Sequence, residues 1–81
     1  MTKVPSDAET LDTCGLLCPL PVLKARKRLQ SMPDGAVLRV LADDPAAQID
    51  VPHFCTEQGH GLIGQSDLDG GQFEFLVRKG G

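Results

Sequence analysis

Hydrophobic and polar positions change period several times along the 81-residue chain, and each change marks an element. Met1 to Glu9 is polar and aperiodic, which reads as a flexible tail. From Thr10 to Cys14 the chain alternates weakly and then meets Gly15, the pattern of a short strand ending in a turn that needs glycine's backbone freedom. Between Pro19 and Met32 the apolar residues Val22, Ala25, Leu29 and Met32 recur at spacings of three and four, with Leu20 and Leu23 widening the stripe. That spacing predicts an amphipathic helix, stopped by Pro33-Asp34-Gly35. Ala36 to Ala42 reads AVLRVLA, apolar except for Arg39, and predicts a central strand buried on most of both faces.

Asp43-Asp44-Pro45 then offers an acidic cap with proline at the first helical position, and a second helix follows through Ile49 and Phe54. Pro52 falls inside that helical pattern, so the helix is expected to start late or irregularly, because proline removes a backbone donor and clashes with the preceding turn. Gly59, Gly61 and Gly64 mark its exit. Leu62 to Leu68 and Gln72 to Arg78 flank Asp69-Gly70-Gly71, which reads as a β-hairpin. The order βαβαββ is satisfied most simply by an α+β fold, a two-layer α/β sandwich with both helices on one face of a four-stranded mixed sheet. The first strand, helix and second strand form a parallel crossover unit. The domain is expected over residues 10–79, between an N-terminal tail at 1–9 and a C-terminal tail at 80–81.

Composition narrows the function classes. Eight Lys and Arg against eleven Asp and Glu give a net charge of -3, which opposes the attraction to phosphate backbones on which nucleic-acid binders rely. Three Phe and no Trp or Tyr leave few platforms for stacking bases. No run is apolar and long enough to span a bilayer, and the first residues lack a signal peptide's apolar stretch. Neither nucleic acid nor membrane is expected as a direct partner, and a cytoplasmic location is expected. Three cysteines cannot all pair within the chain, so in a reducing compartment they are reactive, metal-binding or simply packed.

Cys18 is where chemistry is expected. It stands just before Pro19 and the first helical turn, where outward backbone N–H groups and the helix dipole favour a thiolate. Pro19 and Pro21 stiffen the helix start and present the cysteine at a loop tip. The basic run Lys24, Arg26, Lys27 and Arg28 reads either as a solvated helix face or as a surface for acidic partners. Cys14 makes a C-x3-C spacing with Cys18, which a thiol-disulfide redox protein would use; equally, Cys14 simply ends a strand. Cys55 reads as a packed thiol. His53, Cys55 and His60 with Cys14 or Cys18 match no zinc-finger or ribbon spacing, so no metal is expected, and Gly59, Gly61 and Gly64 lack the context of a phosphate-binding loop, so no cofactor is expected either. His53 reads as a partly buried helix residue and His60 as a helix-end residue whose positive form meets the negative dipole end. Asp43 and Asp44 read as structural caps.

The sequence resembles the TusA/SirA family of small sulfur-carrier proteins. Leu11-Asp12, Gly15 and then Cys18-Pro19-Leu20-Pro21 before a basic helix carry the likeness. It continues through Ala42-Asp43-Asp44-Pro45, Asp50-Val51-Pro52-His53-Phe54-Cys55, Gly59-His60 and Arg78-Lys79-Gly80. The resemblance implies a persulfide carried on Cys18, received from a cysteine desulfurase or rhodanese-like donor and relayed to an acceptor protein. Gly15, Pro19 and Pro21 would support the thiol, and Lys24, Arg26, Lys27 and Arg28 would bind partners. The implied protein is a relay between enzymes rather than a stand-alone turnover enzyme, and a monomer is expected. The family is associated with tRNA thiolation, molybdenum-cofactor maturation and oxidative sulfur metabolism. A non-catalytic docking module is the reading that needs no thiol chemistry.

Overall fold

The computed structural model describes residues 8–80. In it the chain forms β1 (Glu9–Asp12), α1 (Leu20–Gln30), β2 (Val37–Ala42), α2 (Ala47–Gln58), β3 (Gly61–Asp67) and β4 (Phe73–Arg78). The sheet order is β1-β2-β4-β3, with β1 parallel to β2 and β4 antiparallel to both of its neighbours. This is the expected α+β arrangement, a four-stranded mixed sheet with two helices. Strand β1 starts at Glu9, which the sequence reading placed in the tail. Residues 1–7 of that expected tail, and Gly81, lie outside the described residues.

Both helices share one face because the strands alternate in phase. Leu38, Val40 and Ala42 of β2 stand opposite Val77, Phe75 and Phe73 of β4, and all but Phe73 of these are buried. Ala25, Leu29 and Met32 from the α1 side and Ala47, Val51, Phe54 and Cys55 of α2 pack onto them in one core. The period-2 and near-four spacings thus converge on a single apolar layer. Strand β2 is fully buried on this face only; Val37, Arg39 and Leu41 on the other are half-buried, because no second helical layer covers them. There Arg39 Nε donates to Glu74 Oε2 at 2.5 Å, and Leu76 is fully buried.

Two expectations about the helices are corrected. Helix α2 starts at Ala47 and carries Pro52 in its interior, rather than beginning late. The carbonyl deprived of its helical donor belongs to Gln48, an exposed residue, where water can serve it. Leu20 and Leu23 do not widen the buried stripe: they are 44% and 49% exposed. Helix α1 instead buries the narrower row Pro21, Ala25 and Leu29, since a single sheet covers only one side of it. At the far end Gly80 lies so close to Gly59 that an added Cβ would sit 1.8 Å from its carbonyl oxygen, which excludes any side chain there.

Candidate functional site

Parallel pairing of β1 and β2 brings the loops that follow them to the same end of the sheet, the usual place for sites in parallel α/β units. Thr13 continues from β1 and is fully buried. Its N–H and hydroxyl both donate to Leu41 O of β2, at 2.7 and 2.5 Å, so the loop leaves the sheet from a fixed point. The second loop then ties down the first. Gly15 N donates to Asp43 Oδ1 at 2.9 Å and Cys18 N to Asp44 Oδ2 at 2.7 Å, while Asp44 Oδ1 accepts from Ala46 N at 3.1 Å. Gly15 holds φ +87 with open space where a Cβ would stand, so it is backbone conformation and not room that requires glycine.

Cys18 therefore sits exposed on a tethered loop. Pro19 is the residue before the helix and Pro21 is buried in its first turn; the Cys18–Pro19 peptide is cis. The thiol donates to Asp50 Oδ2 of α2 and opens into a cleft of about 250 Å³ between the helices, floored by Val22 and Phe54 and rimmed by His53 and Glu57.

The charge state of Cys18 runs against the helix-dipole expectation. The hydrogen bond to Asp50, then partial desolvation, then the charges of Asp50 and Asp44 push the thiol above its ordinary value, because ionising it would set negative charge against negative charge. The helix end cannot compensate. Pro21 has no N–H, and Leu20 and Leu23 spend theirs on Leu17 O and Pro19 O, which leaves Val22 alone in the first turn. Asp44 moves the other way: the N–H groups of Cys18 and Ala46 hold its carboxyl below the usual range. Cys14 is half-buried, and burial together with the Asp12 carboxylate pushes its thiol up to about 11. Cys14 thus turns to Asp12 on β1 and Cys18 to Asp50 on α2, and both are free thiols. Cys55 is buried, and burial raises its thiol.

The basic run is divided. Lys24, Lys27 and Arg28 line a groove with Leu11 and Ser31, where Arg28 also reaches Glu9 at 3.8 Å. Arg26 faces another hollow with His60 and Lys79. None of the four lines the Cys18 cleft. The histidines also depart from expectation: His53 is exposed and pairs with Glu57. His60 Nδ1 accepts from Gly80 N at 3.0 Å, and burial followed by the Lys79 charge lowers its pKa, so the neutral rather than the positive form is favoured. Among the described residues no three His, Cys, Asp or Glu side chains gather to hold a metal ion, and no helix is long and apolar enough to cross a membrane.

Sequence reasoning missed Asp50 and gave Asp43 and Asp44 too small a part. The available signal was position: Asp50 is the acidic residue in the first turn of α2, and that turn follows a strand parallel to the one that delivers Cys18.

Residues 9–79, from the start of β1 to just beyond β4, match the family described as sulfurtransferase TusA. The chain belongs to the TusA family. This is a sulfurtransferase and sulfur-carrier family, whose members generally engage other proteins in sulfur relay. The fold agrees: a crystal structure of a SirA-like protein from Desulfitobacterium hafniense superposes with a TM-score of 0.78 at 27% identity, covering 89% of this chain and 97% of that one. The TusA-family match spans every element that builds the thiol loop.

Proposed function

We propose that the chain carries sulfane sulfur as a persulfide on Cys18, taking it from a cysteine desulfurase or rhodanese-like donor and passing it to an acceptor protein. The observation that carries this reading is the placement of Cys18: an exposed thiol on a loop fixed by Thr13, Asp43 and Asp44, open on one side. In the loading step the Cys18 sulfur attacks the outer sulfur of the donor persulfide. The donor S–S bond breaks as the new one forms, and its electron pair leaves on the donor cysteine, so nothing is oxidised or reduced overall. Delivery repeats the step with Cys18 as the leaving thiolate.

A protein rather than a small molecule suits the surroundings. Leu17 is 69% exposed beside Cys18 and Ile49 is 75% exposed beside Asp50, and a protein docked over the thiol would remove this apolar surface from water. Gly15, Pro19 and Pro21 shape the loop, and Lys24, Lys27 and Arg28 in one groove, with Arg26 in another, add basic contacts for partners. The acceptor belongs to tRNA thiolation, molybdenum-cofactor maturation or sulfur oxidation. The chain works as a monomer in the reducing cytoplasm, which keeps its three cysteines as thiols.

Intact-mass spectrometry after incubation with a cysteine desulfurase and cysteine tests the reading. One added sulfur, removed by reductant, absent in Cys18→Ser and retained in Cys14→Ser, is the expected result. No adduct from the desulfurase, nor from a rhodanese with thiosulfate, on a folded protein whose Cys18 still alkylates would overturn it.

A further inference from the structure

The groups that face the Cys18 thiol are acidic, and they come from two elements. Asp50 on α2 accepts from Sγ, and Asp44 on the β2–α2 loop accepts from the same residue's N–H. The other titratable groups on the cleft, His53 and Glu57, both belong to α2 and are paired with each other. Helix α1 and its entry contribute Pro19 and Val22 to the lining, and the Lys and Arg residues of α1 face other hollows. Among the described residues, then, no Lys or Arg lines this cleft.

We propose that Asp50 is a specificity-determining residue: its carboxylate holds the Cys18 thiol in a hydrogen bond that small anionic persulfides leave intact, and releases it to a protein donor whose docking face places a cation against the carboxylate. The inference rests on the carrier reading above and names the partner chemistry which that reading leaves open. In the free protein, losing the thiol proton sets a thiolate against Asp50 at hydrogen-bond distance. A diffusible persulfide such as glutathione persulfide brings negative charge of its own and nothing to neutralise the carboxylate, and Asp44 adds to the repulsion. A docked Lys or Arg removes the penalty by pairing with Asp50, and charge pairing of this kind at an interface selects partners. The exchange stays balanced: Cys18 S–H and the donor's S–S–H give Cys18 S–S–H and the donor's S–H. The proton released by Cys18 is matched by the one that the departing donor thiolate takes up.

The test compares wild type, Asp50→Asn and Asp50→Glu, all in the full chain. Cys18 alkylation by iodoacetamide is followed from neutral to alkaline pH by peptide-resolved mass spectrometry, and sulfur loading is timed from glutathione persulfide and from a cysteine desulfurase with cysteine. Asp50→Asn should move the alkylation midpoint to lower pH and speed loading from glutathione persulfide at neutral pH, by about tenfold for each full unit of midpoint shift. The same variant should slow loading from the desulfurase, whose cation loses its counter-charge. Asp50→Glu should restore the wild-type order of the two donors. An unaltered pH profile in Asp50→Asn, or an equal change with both donors, overturns the inference while a normally loading wild type leaves the carrier reading standing. A wild type that takes sulfur from neither donor removes the carrier reading, and this inference with it.

Discussion

Replacing Leu29 by alanine removes the largest side chain that α1 buries against the sheet, and the structure sets the size of the loss. Leu29 is 1% exposed and belongs to the same core as Met32, Leu38 and Phe75. Truncation forfeits its transfer free energy and leaves a cavity, together 2–5 kcal/mol for a buried leucine, and about 3 kcal/mol is expected here. The lower part of the range applies because Met32, unbranched and adaptable, stands next to the gap. A chain of this length has a total stability on the order of 4–12 kcal/mol, so the variant remains folded at room temperature over most of that range. Its unfolding entropy at the midpoint is about 0.17 kcal/mol/K, which converts the loss into a fall in Tm of about 18 °C. Far-UV circular dichroism is the suitable assay, since the sequence has no Trp or Tyr to report by fluorescence. A fall below about 6 °C, the size that roughly 1 kcal/mol produces, would refute the view that α1 is sealed to the sheet through this row. The thiol loop is held from β2 and α2 rather than from this end of α1, so the folded variant should still accept sulfur on Cys18.

Two further outcomes follow from charged groups. Arg39→Met leaves Glu74, 7% exposed, without its partner and should cost about 3 kcal/mol in urea unfolding; adding Glu74→Leu should recover most of it, since an apolar pair does not need charge compensation. His60 has a lowered pKa in the native state, so the unfolded chain takes up protons first as pH falls through about 6.5. Stability is therefore expected to be full above that pH and to decline below it, and Tm measured against pH should show a step that His60→Gln abolishes.

The elements were legible because each is encoded locally. AVLRVLA can bury one continuous face as a strand, and Asp69-Gly70-Gly71 can reverse the chain. Errors entered where a second element decided the outcome. Leu20 and Leu23 belong to the apolar stripe by spacing, yet the sheet reaches only the row of Pro21, Ala25 and Leu29. Pro52 looked like a boundary by its own chemistry, but one lost hydrogen bond on an exposed side does not outweigh Val51, Phe54 and Cys55 packing in the core. The thiol loop was legible in part: Cys18 is marked by its two prolines, whereas its charge environment comes from Asp44 and Asp50, 26 and 32 residues further along. No periodicity reports such a meeting. It is created by the parallel pairing of β1 with β2, and it reversed the expected shift of the thiol.

Strand β4 lies between β2 and β3 although it is last of the four in sequence. During synthesis both of those neighbours emerge with a bare edge, and the core face of β2 lacks Phe75 and Val77 until residues 73–78 have been added. Contacts of such long sequence separation form late and together. The reactive loop is written in the first half of the chain, yet its anchor on β2 becomes firm only when the final strand slots in. The last strand in the sequence thus completes the core face of the strand that anchors a loop from the first half of the chain.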